Sequence, residues 1–298
     1  MIGFIVLLSG AVSLVYEVVW ARLLSVHLGS TTEGHTVVIA TFMGGLGLGY
    51  ALLGRLSDRT ERPLRLYALL EVGITLWAFA LPSLVDAASV HLGGGLLLAI
   101  AAIAVPTTLM GGTLPALTAA LAPRDTPGPT IAGLYGLNAL GAALGVIAAG
   151  FWMIEAHGVR GAGFAAASLN GLLALTAWQI ARRVRPRPEV SATPPVAGSM
   201  VRWACLSAGV VGFASMALQG AWIRLFAVVL GSSSYSFSLV IGVYIAGMAL
   251  GSLLVRRWAD RLPPLATLLG VLAGTCACFG HSLRFFLHFG RFEMGQGV

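Results

Sequence analysis

The chain is a succession of apolar runs, each about as long as a bilayer is thick. A hydrocarbon core about 30 Å across needs ~20 apolar residues per helix. Nine runs meet that length, roughly 3–28, 34–55, 64–86, 94–121, 129–154, 161–181, 202–230, 235–256 and 264–288. The breaks suit their places. Gly29-Ser30-Thr31-Thr32 and Gly231-Ser232-Ser233-Ser234 are turn-rich, and Pro123-Arg124-Asp125-Thr126-Pro127-Gly128-Pro129 cannot continue a helix. Of the 298 residues 57% are hydrophobic and 10% charged, against about 25% charged in soluble domains. A soluble chain of this length could not hide so much apolar surface in one or two cores. Soluble enzyme, nucleic-acid binder and disordered scaffold are excluded, and an all-α polytopic membrane protein is expected.

The net charge of +7 does not point to nucleic acid, because of where the charge lies. All basic residues are arginine, and most sit in short loops: Arg55, Arg59, Arg62 and Arg65 after the second run, Arg124 after the fourth, Arg182, Arg183, Arg185 and Arg187 after the sixth, Arg256, Arg257 and Arg261 after the eighth. The alternate loops hold only Arg160. By the positive-inside rule the even-numbered spans end in the cytoplasm, and the N-terminus is cytoplasmic too. The first run carries Glu17 at its middle and leads straight into a second, so it reads as a span and not as a cleaved leader. Cys205, Cys276 and Cys278 lie in apolar segments without zinc-site spacing and read as small buried hydrophobes. His27, His35, His91 and His157 sit near loops and form no metal-ligand cluster, so neither metal nor cofactor is expected.

The chain also repeats itself at an offset of 202 residues. Trp20-x-Arg22-Leu23 recurs as Trp222-x-Arg224-Leu225, and Leu28-Gly29-Ser30 as Leu230-Gly231-Ser232. Gly45, Leu48 and Gly49 match Gly247, Leu250 and Gly251, and Arg55-x-x-Asp58-Arg59 matches Arg257-x-x-Asp260-Arg261. Two apolar helices share leucines by chance; coincident Trp, Arg, Asp and loop glycines in one register are not chance. The expected organisation is a six-helix unit over 1–181, a proline-bearing cytoplasmic linker over 182–200 and a partial second repeat of about three helices over 201–298.

Parallel repeats of a six-helix unit joined by a cytoplasmic linker resemble the major facilitator superfamily. The loop Gly54-Arg55-Leu56-Ser57-Asp58-Arg59 is similar to that superfamily's G-x-L-[AS]-D-R signature, and its second copy keeps only Asp260-Arg261. The competing reading is a positive-inside loop whose aspartate caps or pairs locally. A full pair of repeats has twelve spans, whereas nine are expected here, and Arg284 and Arg291 fall on what should be the outer side.

A finer resemblance rests on several motifs together: Ser9-Gly10-x-x-x-Leu14-x-Tyr16-Glu17-x-x-Trp20-x-Arg22, the stretch Gly45 to Arg59 with Pro63-Leu64, Met110-Gly111-Gly112-Thr113-Leu114-Pro115, and Gly133-Leu134-Tyr135-Gly136-Leu137-Asn138-Ala139-Leu140-Gly141 with Gly145, Gly150-Phe151 and Gly158-x-Arg160-Gly161. These resemble the membrane region of bacterial fused transporter-like/spermidine synthase proteins over about residues 5–265. The resemblance implies a bacterial inner-membrane protein, a polyamine-class ligand and a soluble aminopropyltransferase domain or subunit as partner. No polar stretch here is long enough to form that domain. Gly44-Gly45-Leu46-Gly47-Leu48-Gly49 lies in an apolar run, where small residues bring helices together and do not cradle a nucleotide. The chain alone is expected not to be an enzyme.

Charged groups at membrane depth are functional candidates, because they must carry a proton, pair, or meet water. Glu17 and Glu71 are peculiar to the first copy (Gln219 and Ala273 replace them), whereas Arg22 recurs as Arg224. Tyr16 and Trp20 flank Glu17, and Tyr67 precedes Glu71 by one turn. Carboxylates with aromatic rings suit an organic ammonium, through charge pairing and cation–π contact. Glu17, Tyr16, Trp20, Glu71 and Tyr67 are thus the candidate ligand residues, with Glu17 expected to face the interior between the halves. Arg22, Arg224, Asp58, Arg59, Asp260, Arg261 and Asn138 are candidates for structural or gating roles. The competing readings are an ion-pair lock for Glu17, an interfacial aromatic belt for Tyr67 and Trp77, and helix glue for Asn138 and Asn170. Three functions stay open: a carrier or sensor of a small amine, a non-transporting anchor or regulatory module of a spermidine synthase-type enzyme, and an inactive remnant.

Overall fold

A computed structural model describes residues 2–27, 32–91, 96–123, 125–184, 186, 198–231, 233–258, 260–261 and 263–295. Among the described residues there is no strand. In hydrocarbon every backbone N–H and C=O must be satisfied within its own segment, and the helix is the open-chain solution. The helices are α1 (Ile2–His27), α2 (Thr32–Arg59), α3 (Pro63–His91), α4 (Leu96–Leu121), α5 (Gly128–Ala148), α6 (Ile154–Arg183), α7 (Gly198–Leu230), α8 (Ser233–Val255) and α9 (Pro264–Gly295), with a π-helical turn over Ala149–Met153. Most of the expected linker, residues 187–197, and the side chains of His27, His35, His91 and Arg291 lie outside the described residues.

Seven stretches of the described residues are long and apolar enough to cross a membrane, where nine spans were expected. Two of the expected spans fall within one of these stretches, Gly128–Arg183, of 56 residues. As a straight helix it would measure about 84 Å, more than twice the bilayer core. It does not run straight. Gly158 stands at φ 69°, ψ 172°, outside helical space, in the interval between the fifth and sixth apolar runs. The ninth expected run folds as α9 and is not among the seven.

The described chain forms two compact units. One comprises Met1–Ser191 with Ile241–Asp260, the other Ala192–Val240 with Arg261–Val298. In the first, α1 packs on α5 and α6, α2 on α4, and α3 on α4 and α6. Glycines set the closest pairs. A Cβ at Gly141 would fall on the Leu7 carbonyl oxygen, at Gly145 on that of Ala11, and at Gly10 on that of Asn138. Likewise a Cβ at Gly49 would meet the Thr108 carbonyl, and one at Gly45 the Thr107 hydroxyl. The Gly-x-x-x-Gly pairs of the second and fifth runs therefore face neighbouring helices, with backbone against backbone at Gly49, Gly141 and Gly145. At their repeat positions Gly247 and Gly251, and at Gly212, an added Cβ would meet no atom of another described element within 4 Å. In the second unit α7 meets α9 through Trp222 and Phe285, ring centroids 5.2 Å apart.

The structure departs from the sequence-based expectation at two sets of residues. The three cysteines are exposed at the protein surface and are not buried hydrophobes; an apolar helix in lipid has no need to turn its small apolar side chains inward. Nor do Tyr67 and Trp77 form an interfacial belt. Tyr67 is fully buried. The Trp77 indole N–H donates to the Ala102 carbonyl oxygen at 2.9 Å. That carbonyl is the one Pro106, four residues on inside α4, leaves without its helical N–H partner.

The close contacts give two expected outcomes. Gly145→Leu and Gly49→Leu should each cost roughly 1–3 kcal/mol or more through overpacking and reduce folded yield in detergent gel filtration, whereas Gly47→Leu, where a Cβ would meet nothing within 4 Å, should not. Gly158→Ala, forced into a backbone region that L-residues avoid, should lower the melting temperature by an amount equivalent to about 1–3 kcal/mol. Equal behaviour of Gly145→Leu and Gly47→Leu would overturn the packing assignment.

Candidate substrate site

Glu17 sits well inside α1, fifteen residues from its start at Ile2, or about 22 Å along the axis. Tyr16 and Trp20 lie one helical turn apart and stack, with centroids 4.8 Å apart and planes at 19°. All three side chains are buried, Glu17 at 1% exposure. Neither carboxylate oxygen of Glu17, nor the Tyr16 hydroxyl, has a hydrogen-bond partner among the described residues. A buried carboxylate left so is costly unless a cation or proton answers it. The contacts Leu7–Gly141 and Ala11–Gly145 show α1 and α5 running in the same direction. The π-turn Ala149–Met153, which also packs on α1, follows at the level of Glu17. An inserted residue of this kind breaks the regular hydrogen-bond ladder and is frequent at functional positions.

Glu71 is in a different state. The Ser9 hydroxyl donates to its Oε1 at 2.7 Å, joining α1 to α3. The Asn170 amide donates to the Glu71 carbonyl oxygen and to the Thr75 hydroxyl, each at 3.0 Å, joining α6 to α3. Thr75 in turn donates back to the Glu71 carbonyl oxygen at 2.8 Å. Tyr67 is buried one turn before Glu71, its hydroxyl without a partner in hydrogen-bond geometry among the described residues. Asn170 thus acts as helix glue. In the sequence Ser9 stands out only as part of the motif around Tyr16 and Glu17. The readable signal was its position seven residues before Tyr16, two turns along the same helical face.

The remaining candidates are dispersed. Arg22 is half-buried on α1, and Arg224 is exposed on α7. Asn138 presents its carbonyl to Gly10 at the α1–α5 contact. Asp58 and Arg59 are exposed at the end of α2, as is Arg261 beyond α8. Asp260 has a defined role. Its Oδ1 accepts a hydrogen bond at 2.9 Å from the backbone N–H of Gly128, the first residue of α5. A carboxylate at a helix N-terminus meets both an orphan donor and the positive end of the helix dipole. Near it, the Ser252 hydroxyl donates to the Ala132 carbonyl oxygen at 2.7 Å, a second tie between α8 and α5. At the other end of the helices Arg160 pairs with Asp86 at 2.7 Å, tying α6 to α3. Among the described residues no three His, Cys, Asp or Glu gather into a group that could hold a metal.

Removing the donor to Glu71 should expose the contrast between the two carboxylates. Ser9→Ala leaves a buried carboxyl oxygen short of its partner and should destabilise the protein by roughly 1–2 kcal/mol. Glu71→Gln retains an acceptor for Ser9 and should melt near the parent temperature. Thermal unfolding in detergent checks both, and a neutral Ser9→Ala would overturn the assignment of this bond as a structural tie.

No curated protein sequence and no solved structure matches the chain. A family model described as Major Facilitator Superfamily matches residues 2–290, nearly the whole length. That match supports a membrane domain and carries no part of a spermidine synthase. Together with the helical bundle, the membrane-length apolar stretches and the buried polar groups of α1 and α3, it shows a multi-pass membrane protein of transporter type: the chain belongs to the Major Facilitator Superfamily.

Proposed function

We propose that the protein binds and carries a small organic amine of the polyamine class, with Glu17 as the anionic end of the site and the Tyr16–Trp20 stack beside it. The observation that carries this reading is the buried Glu17 carboxylate with neither oxygen partnered among the described residues. An ammonium group would supply the missing charge and donors, and the neighbouring rings would favour a cation. Ser9, which holds Glu71, lies eight residues from Glu17 on α1, about 12 Å along the axis. Two carboxylates so spaced suit a ligand with a cation at each end, and Glu71 with Tyr67 takes the second end. In the conformation described both carboxylates are buried, so uptake requires α1 to part from its neighbours. The residues at the bundle ends, Asp58, Arg59, Asp260 and Arg261, then belong to gating, and Arg22 and Arg224 to the scaffold shared by both copies.

The same reading takes the bacterial inner membrane from the resemblance to the fused synthase proteins, and the cytoplasmic N-terminus from the arginine asymmetry of the loops. It keeps the organisation into a six-helix unit over 1–181, a linker over 182–200 and a partial repeat over 201–298. A second reading is favoured by the motifs shared with fused spermidine synthases: the chain anchors or regulates an aminopropyltransferase and itself moves nothing. Saturable uptake of a polyamine into vesicles holding this chain alone would decide against it.

Glu17→Gln should abolish binding of radiolabelled spermidine to the purified protein while leaving the melting temperature nearly unchanged; Glu71→Gln should weaken binding without abolishing it. A wild-type protein that binds no polyamine, with a badly destabilised Glu17→Gln, would make Glu17 a structural group and end the proposal.

A further inference from the structure

At the arginine-rich end of the first unit, a cavity of about 300 Å³ lies among the ends of α1, α3, α4 and α6. Its walls divide by chemistry. Ile2, Leu64, Leu121 and Ala181 belong to an apolar part of the lining, while Arg62, Arg65 and Glu61 are its charged members. Each wall belongs to the extremity of a membrane-length stretch or to the residues just beyond it. The cavity therefore sits where hydrocarbon gives way to headgroups.

Its charge is out of balance. Neither Arg62 nor Arg65 pairs with a carboxylate among the described residues, and the Arg65 Nε is buried without a hydrogen-bond partner. Both arginines also stand at the N-terminus of α3, whose first turn holds no acidic residue. That end already carries positive partial charge from the helix dipole, so cations there raise the energy and an anion lowers it. A guanidinium offers fixed parallel donors that suit phosphate oxygens. Two arginines against one glutamate leave a net positive charge for a monoanion to neutralise, and the apolar wall suits the glycerol and first methylenes of a lipid.

We propose that this cavity is a binding site for the phosphate headgroup of an anionic phospholipid, held by Arg62 and Arg65 at the start of α3. Basic recesses between membrane helices on the cytoplasmic side take such headgroups. The site is separate from Glu17 and does not depend on which ligand the protein carries. It ties four helix ends of one unit to the leaflet, so lipid composition acts on the packing of that unit.

The test uses the full chain in phosphatidylcholine nanodiscs with and without phosphatidylglycerol, with lipid retention read by native mass spectrometry. The wild type should retain phosphatidylglycerol over phosphatidylcholine, and Arg62→Gln/Arg65→Gln should lose at least about fivefold of that preference. Arg182→Gln/Arg183→Gln, which removes equal charge from the same end of α6 outside the cavity lining, should keep it. Equal loss in both variants would assign the effect to diffuse surface charge and overturn the site. Inorganic phosphate that raises the melting temperature as much as phosphatidylglycerol does would make it a free-anion site and overturn the lipid assignment. Should the cavity variant fail to fold, a photoactivatable phosphatidylglycerol on the wild type decides: adducts on peptides spanning 61–65 or 119–122 support the site, and adducts only elsewhere refute it.

Discussion

The contact between α1 and α5 is the constraint on which the described core depends. Gly141 and Gly145 have no side chain between them and the Leu7 and Ala11 carbonyls, and Gly10 has none toward Asn138. In lipid there is no hydrophobic gain from bringing two apolar helices together, so attraction must come from dense packing and from polar contacts. Backbone approach maximises the first. It also fixes the rotation of α1, and α1 carries Ser9, Tyr16, Glu17 and Trp20. Once one face of α1 is committed to α5, Ser9 and Tyr16 are turned toward α3, and Ser9 reaches Glu71.

That commitment separates two carboxylates that look alike. Glu71 receives the Ser9 hydroxyl, and its backbone carbonyl receives Asn170, so the α1–α3–α6 contact is tied by polar groups. Glu17 has no such bond among the described residues, although it is equally buried. A site that must release its ligand gains from an anion that the protein itself does not satisfy, whereas an anion that holds helices together must be satisfied. The π-turn at the level of Glu17 adds a local irregularity in a part of the bundle where regular helices would otherwise meet.

The repeated loop shows how one sequence takes different roles in different surroundings. Asp58 and Asp260 occupy equivalent places in the two copies. Asp260 accepts the first N–H of α5, while Asp58 is exposed at the end of α2. The glycines divide the same way: Gly49 meets the α4 backbone at Thr108 and Gly45 the Thr107 side chain, while a Cβ at Gly247 or Gly251 would meet no atom of another described element within 4 Å. A residue type specifies which contact is possible; the neighbouring helix decides whether it is made.

The amino-acid sequence by itself determined the membrane class, the position of most apolar spans and the spacing of the Gly-x-x-x-Gly pairs in α2 and α5. Those properties are local: hydropathy accumulates along a single helix, and a Gly-x-x-x-Gly pair lies on one face at fixed spacing. What only the tertiary structure decided involves partners distant in the chain. Ser9 finds Glu71 sixty-two residues away, Asn170 finds it from ninety-nine away, and Asp260 reaches Gly128 across 132 residues. Trp77 reaches the carbonyl freed by Pro106 from another helix, although from its sequence position it read as an interfacial aromatic. The lining of Arg62 and Arg65 by the ends of four helices was equally invisible, because no spacing within one segment encodes it. Burial and partnership of a polar group are set by the elements around it, and the chain brings those together only when it folds.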